Sequence, residues 1–137
     1  MKARIIVLLI VAFGLMPFFA NAGVEVLGNL VYKYSARKGE TYSTILKVHN
    51  TADKDQEVSI YQRDYLYNSD GASFYNEPGS HKRSNALWVQ FAPKTLLLRG
   101  KETQNVQFEV TVPQGDTITG TYWSLLMIEG VGQLVLR

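Results

Sequence analysis

The chain has 137 residues, no cysteine and a formal net charge of +2. The absence of cysteine excludes a disulfide framework, a thiolate metal site and a cysteine nucleophile. Lys2 and Arg4 account for the whole excess of positive charge, so the rest of the chain lacks the basic surface that nucleic-acid binding requires. We expect no nucleic acid among its partners.

The first residues have the three parts of a secretory signal peptide. Two basic residues begin the chain, an apolar run follows from Ile5 to Ala20, and Ala20-Asn21-Ala22 has the small-residue pattern of a cleavage site. The run is shorter than the ~20 apolar residues that a membrane-spanning helix needs. We therefore predict a signal peptide over residues 1–22 and a mature domain over residues 23–137. This domain is expected in the periplasm or secreted, with no membrane span after cleavage.

Short runs of β-favouring residues alternate with turn sequences through the rest of the chain. Apolar and polar residues alternate along Gln104–Val112 and Tyr42–Asn50, which is typical of strands with one buried face. No segment has the periodicity of a helix. The predicted strands are Leu30–Tyr34, Tyr42–Asn50, Glu57–Tyr67, Leu87–Phe91 with Leu96–Leu98, Gln104–Val112, Thr121–Ile128 and, last, Val131–Arg137.

This number of strands in a chain of one domain's length predicts an all-β fold. We expect a single immunoglobulin-like β-sandwich of six to seven strands behind the signal peptide. The inward positions of the alternating runs predict its core, which consists of Leu46, Val48, Val58, Ile60, Trp88, Val106, Phe108, Val110 and Leu126.

A series of short segments occurs in a recognisable order: Val48-His49-Asn50, Asp70-Gly71, Pro78-Gly79-Ser80, Trp88–Pro93, Leu96–Glu102 and Gly120–Ser124. This order resembles the amino-terminal immunoglobulin-like domain of PapD-like periplasmic pilus-assembly chaperones. The resemblance implies a protein that binds an incomplete exported subunit by strand pairing. The chaperones have a second such domain, and they anchor the subunit's terminal carboxylate with a first-strand arginine and a last-strand lysine. Here Leu30–Tyr34 contains Lys33 and no arginine.

The segment Tyr122–Ile128 is apolar on both faces, unlike a strand with one face in water. Its second face is covered by the protein's own loops, by a partner strand or by a second copy in a homodimer. An apolar tail follows it, and exposed apolar edges mark interaction sites. The predicted contacts to an exported protein subunit are Leu125, Met127, Leu134, Val135 and Leu136.

A second candidate surface lies along Glu57–Tyr67. Alternation places one aromatic side chain after another on a single face, with an arginine between them; this face consists of Tyr61, Arg63, Tyr65 and Tyr67. It suits a sugar or a peptide, and ordinary packing of tyrosines across strands is the competing interpretation. Asp64 falls among the apolar residues of the opposite face, so it needs a hydrogen-bonding partner if it is buried.

No catalytic constellation is visible in the sequence. His49 and His81 have no ligand or carboxylate at a suitable spacing, and Gly79-Ser80-His81 lacks the pattern of a nucleophile elbow. We therefore expect no enzyme, no metal and no cofactor. The predicted function is an exported, chaperone-like binding module for pilus or surface subunits. The alternative is a structural or adhesive surface module that binds a matrix component or carbohydrate through the tyrosines.

Overall fold

The computed structural model describes residues 23–131, which form two antiparallel sheets. The predicted fold class is confirmed, because these residues are all-β and have the architecture of an immunoglobulin-like sandwich. Eight strands lie in these residues, together with a 3₁₀ turn at Ala86–Trp88. The strands are β1 (Val24–Leu27), β2 (Thr41–Asn50), β3 (Gln56–Tyr67), β4 (Ser73–Asn76), β5 (Val89–Ala92), β6 (Thr95–Leu98), β7 (Thr103–Thr111) and β8 (Leu125–Gly130).

The first sheet has the strand order β1-β2-β7-β5. Its centre is the pairing of β2 with β7, in which Leu46 lies opposite Val106 and Tyr42 lies opposite Val110. Burial alternates from residue to residue along the second half of β2 and along β7. This alternation gives the sheet one face in the core and one face in water.

The second sheet is organised around β3, which has three partners. Its residues 56–59 pair with β6, residues 58–63 pair with β8, and residues 64–67 pair with β4. Val58 and Ser59 pair with both β6 and β8, so these two strands lie on opposite sides of β3. The last strand of the described chain is therefore hydrogen-bonded to the longest one.

Two consecutive strands belong to different sheets. β5 pairs with β7 in the first sheet and β6 pairs with β3 in the second, and only Pro93 and Lys94 lie between them. The N–H of Ile60 donates to the carbonyl oxygen of Lys94 at 2.8 Å, which holds this connection against β3. The sheets are thus joined along one side of the sandwich.

The core lies between the sheets and agrees with the sequence-based prediction. Seven of the nine expected residues are buried, and Trp88 and Leu126 are half-buried and pack against them. Leu96 and Leu98 of β6 complete the cluster. Apolar burial of this kind is the main stabilising contribution in a domain without disulfides.

Three predicted strands need correction. Leu30–Tyr34 is not a strand: the edge of β2 is occupied by β1, and the side chains of Leu30 and Val31 are 77% and 69% exposed. The strand predicted at Thr121–Ile128 begins only at Leu125, and the first residues of Leu87–Phe91 form the 3₁₀ turn.

Strand β4 was not predicted, because all four of its residues are exposed and it has no apolar alternation. The predicted signal peptide (1–22) lies outside the described residues. So does nearly all of the predicted strand at 131–137, of which only Val131 is described, in no strand.

Candidate functional site

Strand β8 is the centre of the candidate site. The N–H of Val131 donates to the carbonyl oxygen of Glu57 at 2.8 Å, and the antiparallel register continues from there to the pair Arg63–Leu125. In such a ladder alternate residues bond to the same neighbour, so the N–H and C=O groups of Leu126 and Ile128 point away from β3. Among residues 23–131, no strand other than β3 pairs with β8. Its second edge therefore presents backbone donors and acceptors.

The two surfaces predicted from the sequence meet on one face of this sheet. Tyr61 lies opposite Met127 and Arg63 lies opposite Leu125, and residues directly opposite each other project from the same face. Leu125 and Met127 are half-buried between these neighbours. The predicted contacts Leu134, Val135 and Leu136 lie outside the described residues.

The polar groups of this outer face are paired with one another. The hydroxyl of Tyr61 donates to Glu129 Oε2 at 2.9 Å, and this hydrogen bond is the main reason that the pKa of Tyr61 is raised. Arg63 forms an ion pair with Glu77, and its guanidinium lies 5.4 Å from the centre of the Tyr61 ring. The charged groups on this face therefore have partners without a ligand.

The tyrosines beyond this cluster are more open. The ring centre of Tyr65 lies 5.8 Å from that of Tyr75, its cross-strand neighbour, and 6.3 Å from that of Tyr67, which is two residues along the same strand. Tyr67 and Tyr75 are nevertheless 71% and 57% exposed. Packing explains part of the tyrosine face, and two flat rings remain accessible on it.

An apolar groove opens on the inner side of β8, between the two sheets. It has a volume of about 640 Å³ and lies between the segment 26–34 on one side and the segment 121–128 on the other. Leu126 and Ile128 of β8 face it, and Phe108 and Val110 of β7 lie at its floor. Sequence reasoning did not find this groove, because its walls come from segments almost a hundred residues apart.

Most of the wall opposite β8, residues 28–34, is irregular and not a strand. Tyr32 packs edge-on against Phe108, with ring centres 5.5 Å apart. Tyr34 packs at 3.9 Å from Tyr42 and bonds through its hydroxyl to Thr44. These contacts hold the segment beside β2 while the side chain of Val31 stays open to the groove and to solvent.

A second chamber of about 570 Å³ adjoins the groove at the end where β8 begins. The two cavities share part of their lining, namely Tyr34, Tyr42, Asn85, Thr121 and Tyr122. Arg37 and Lys38 line the second chamber, and none of its lining residues carries a carboxylate. This end of the groove therefore has two basic residues in its lining, while the carboxylate of Glu40 accepts a hydrogen bond from the backbone N–H of Arg37 at 2.7 Å.

Asp64 supports the site from inside the sandwich. Its side chain is 1% exposed, and it accepts hydrogen bonds from the N–H groups of Gly79 (3.0 Å) and His81 (2.8 Å) and from the hydroxyls of Ser80 (3.2 Å) and Ser84. Burial alone raises the pKa of Asp64, but these hydrogen bonds outweigh it and place the pKa below its ordinary value. The expectation that Asp64 needs a partner is confirmed.

The histidines are part of the surface structure. His49 Nδ1 is 2.9 Å from the hydroxyl of Thr103, and the ring of His81 packs at 5.8 Å from Trp123. Within residues 23–131 no three His, Asp or Glu side chains converge in a way that could hold a metal ion. In the same range no helix is long and apolar enough to cross a membrane.

Of the comparisons with known proteins, only the one with solved structures finds a similar protein. No family model matches the chain, and no curated protein matches it. A similar solved structure is the ASH/PapD-like domain of human CEP192 (PapD-like domain 7), with 18% sequence identity and a TM-score of 0.48. The similarity covers 74% of this chain and 69% of that one. The neighbour is named as a PapD-like domain and comes from a human protein, so membership of the bacterial pilus-chaperone family stays a prediction.

Proposed function

We propose that this chain is an exported, non-enzymatic binding module of the chaperone-like kind, which holds an extended segment of another exported protein along β8. The observation that carries the proposal is the second edge of β8, which lies beside an apolar groove that opens into the core. Export rests on the signal-peptide pattern of residues 1–22.

The edge of β8 can bind the backbone of an extended strand, and the groove can receive its side chains. The outward N–H and C=O groups of Leu126 and Ile128 are available to a strand that lies alongside, which supplies affinity without regard to sequence. Every second side chain of such a strand points toward the groove, where apolar residues gain from burial. Pairing also removes an open strand edge, which is otherwise a site of aggregation.

The charge of the second chamber favours one orientation of the bound segment. Arg37 and Lys38 line it without a carboxylate among their neighbours in the lining. A segment that carries an acidic group at one end is therefore favoured with that end in this chamber. The proposed occupant is an extended peptide with alternating apolar residues and one acidic end.

The test uses a synthetic heptapeptide of alternating leucine and threonine with a free terminal carboxylate. We expect the mature protein to bind it in a fluorescence-anisotropy titration, with amide shifts at Leu126 and Ile128 in NMR spectra. Val31→Asn weakens binding about tenfold, because it places a polar side chain in the groove wall. Ile45→Asn is the matched control, since Ile45 is 57% exposed on the first sheet and does not line the groove.

A form of the peptide with methylated backbone nitrogens distinguishes strand pairing from nonspecific hydrophobic binding. Methylating the N–H groups on one edge of the peptide abolishes binding, and methylating those on the other edge leaves it intact, because only one edge faces β8. Equal effects of the two methylation patterns, or equal binding by both protein variants, would contradict the proposal.

The second candidate is a structural or adhesive module that binds a matrix component or carbohydrate. The exposed rings of Tyr67 and Tyr75 favour it, since flat aromatic faces suit sugar rings. Retention on an oligosaccharide array that is lost in Tyr75→Ala and kept in Val31→Asn would support this candidate over the groove.

A further inference from the structure

The pairing of β3 with β8 ends abruptly at Arg63 and Leu125. The next residue of β3, Asp64, pairs with Asn76 of β4 instead. The place beside Trp123 is taken by residues 83–85, which we call the wedge. Ser84 of the wedge forms a parallel bridge with Trp123, so the strand that leads into β8 continues with a different neighbour.

The wedge forms hydrogen bonds with both the N–H and the carbonyl oxygen of Trp123. The N–H of Trp123 donates to the carbonyl oxygen of Arg83 at 3.0 Å, and the N–H of Asn85 donates to the carbonyl oxygen of Trp123 at 3.4 Å. The hydroxyl of Ser124 is 2.6 Å from Asn85 Oδ1. The indole N–H of Trp123 donates to the carbonyl oxygen of Tyr65 at 2.7 Å. The approach to β8 is thus bonded to the wedge and to β3.

Asp64 is the group that fixes the wedge. It accepts directly from the hydroxyl of Ser84, and its bonds to the N–H groups of Gly79 and His81 hold the turn that leads into the wedge. Gly79 has a φ of +80°, a conformation that favours glycine. One buried carboxylate therefore holds several groups that are distant from β3 in the sequence.

We propose that Asp64 is a positioning residue for the groove: it fixes the wedge, and the wedge fixes Trp123 and Ser124 as one wall of the cavity. Asn85, Trp123 and Ser124 all line the groove. The effect on binding rests on the proposed function of the groove, whereas the effect on its wall does not.

The first measurement is hydrogen exchange of the mature protein with Asp64→Asn, followed residue by residue by NMR. An asparagine offers one acceptor oxygen where the carboxylate offers two, so some of the donors lose their partner. We expect exchange at least ~10-fold faster at the N–H groups of Trp123 and Asn85, with the β2–β7 ladder unchanged. The indole N–H resonance of Trp123 also shifts, and Trp123→Phe assigns it.

The matched control is Asp70→Asn. Asp70 also accepts a hydrogen bond from a backbone N–H, that of Ala72 at 2.9 Å, but it lies in an exposed turn. We expect Asp70→Asn to leave the exchange rates at the N–H groups of Trp123 and Asn85 unchanged. If Asp64→Asn accelerates exchange only at Gly79 and His81, the carboxylate holds a turn and does not position the groove, and the inference is overturned.

The second measurement is the affinity for the leucine–threonine heptapeptide. Asp64→Asn binds it about tenfold more weakly than Asp70→Asn does, because the wall formed by Trp123 and Ser124 is no longer fixed. Equal affinity in the two variants overturns the inference. If neither the native protein nor any variant binds the peptide, the proposed function fails, and the exchange rates at Trp123 still decide whether Asp64 positions the wall.

Discussion

Asn50 and Asp64 are buried polar residues of the described chain, and both serve loops. Asn50 donates to the carbonyl oxygens of Lys54 and Arg99, at 2.7 and 3.0 Å, and accepts from the N–H of Ala52 at 2.9 Å. Asp64 only accepts, from N–H and hydroxyl groups of residues 79–84, and so holds that turn. A buried polar side chain costs free energy unless it is fully hydrogen-bonded, so these two residues specify the loops that they hold.

The charge of Asp64 makes part of the stability of the domain depend on pH. Its pKa in the folded state is below the ordinary value, so its contribution is present above the pKa of the unfolded chain and is lost as the pH falls through the folded pKa. Asp64→Asn is expected to lower the free energy of unfolding at pH 7 by about 2 kcal/mol. Urea unfolding should show this difference shrinking below about pH 4. A difference that stays constant from pH 7 to pH 2 contradicts it.

Asp64 also shows how far single residues can be predicted. Its position on the buried face follows from alternation with Val58 and Ile60, so the need for a partner is visible in the sequence. The partners themselves are not, because two of the four are backbone N–H groups, which any sequence supplies. Their position depends on a turn fifteen or more residues away.

At the level of elements, the sequence predicts both ends of the strongly alternating strands to within one residue. β2, β3 and β7 each pair on both sides or have one buried face, so their sequences carry a clear period of two. β1 and β4 are four-residue strands with little burial, and pattern alone does not distinguish them from loops. The groove was missed for the same reason, since the segment facing β8 has apolar residues without regular pairing.

Phe108 tests the register of the central strand. It is buried in β7, opposite Thr44 and Phe91 on the two neighbouring strands, and its ring is in T-shaped contact with the ring of Tyr32. Phe108→Ala should lower the free energy of unfolding by about 3 kcal/mol, because it leaves a cavity at the floor of the groove. Gln107→Ala, on the exposed face of the same strand, is the control. Similar losses in both variants in denaturant titrations would mean that the assigned faces are wrong.

At the scale of the whole molecule, the sequence predicts a signal-peptide cleavage site between Ala22 and Gly23. Protein recovered from the exported fraction should have an intact mass that starts at Gly23, because the pattern of the first 22 residues is that of a cleaved signal peptide. An alanine-to-leucine change at Ala22 is expected to retard processing, since the site requires small residues. A mature species that retains Met1 would rule out the predicted cleavage.

The direct passage from β5 to β6 affects how the molecule comes apart. The connection between β5 and β6 is only Pro93 and Lys94, which is too short to let the two sheets move apart there. Separating the sheets on that side therefore requires breaking the ladder with β7 or the ladder with β3, and each ladder supports the shared core. Loss of one sheet removes the support of the other, so heat or denaturant melts the domain in a single cooperative transition.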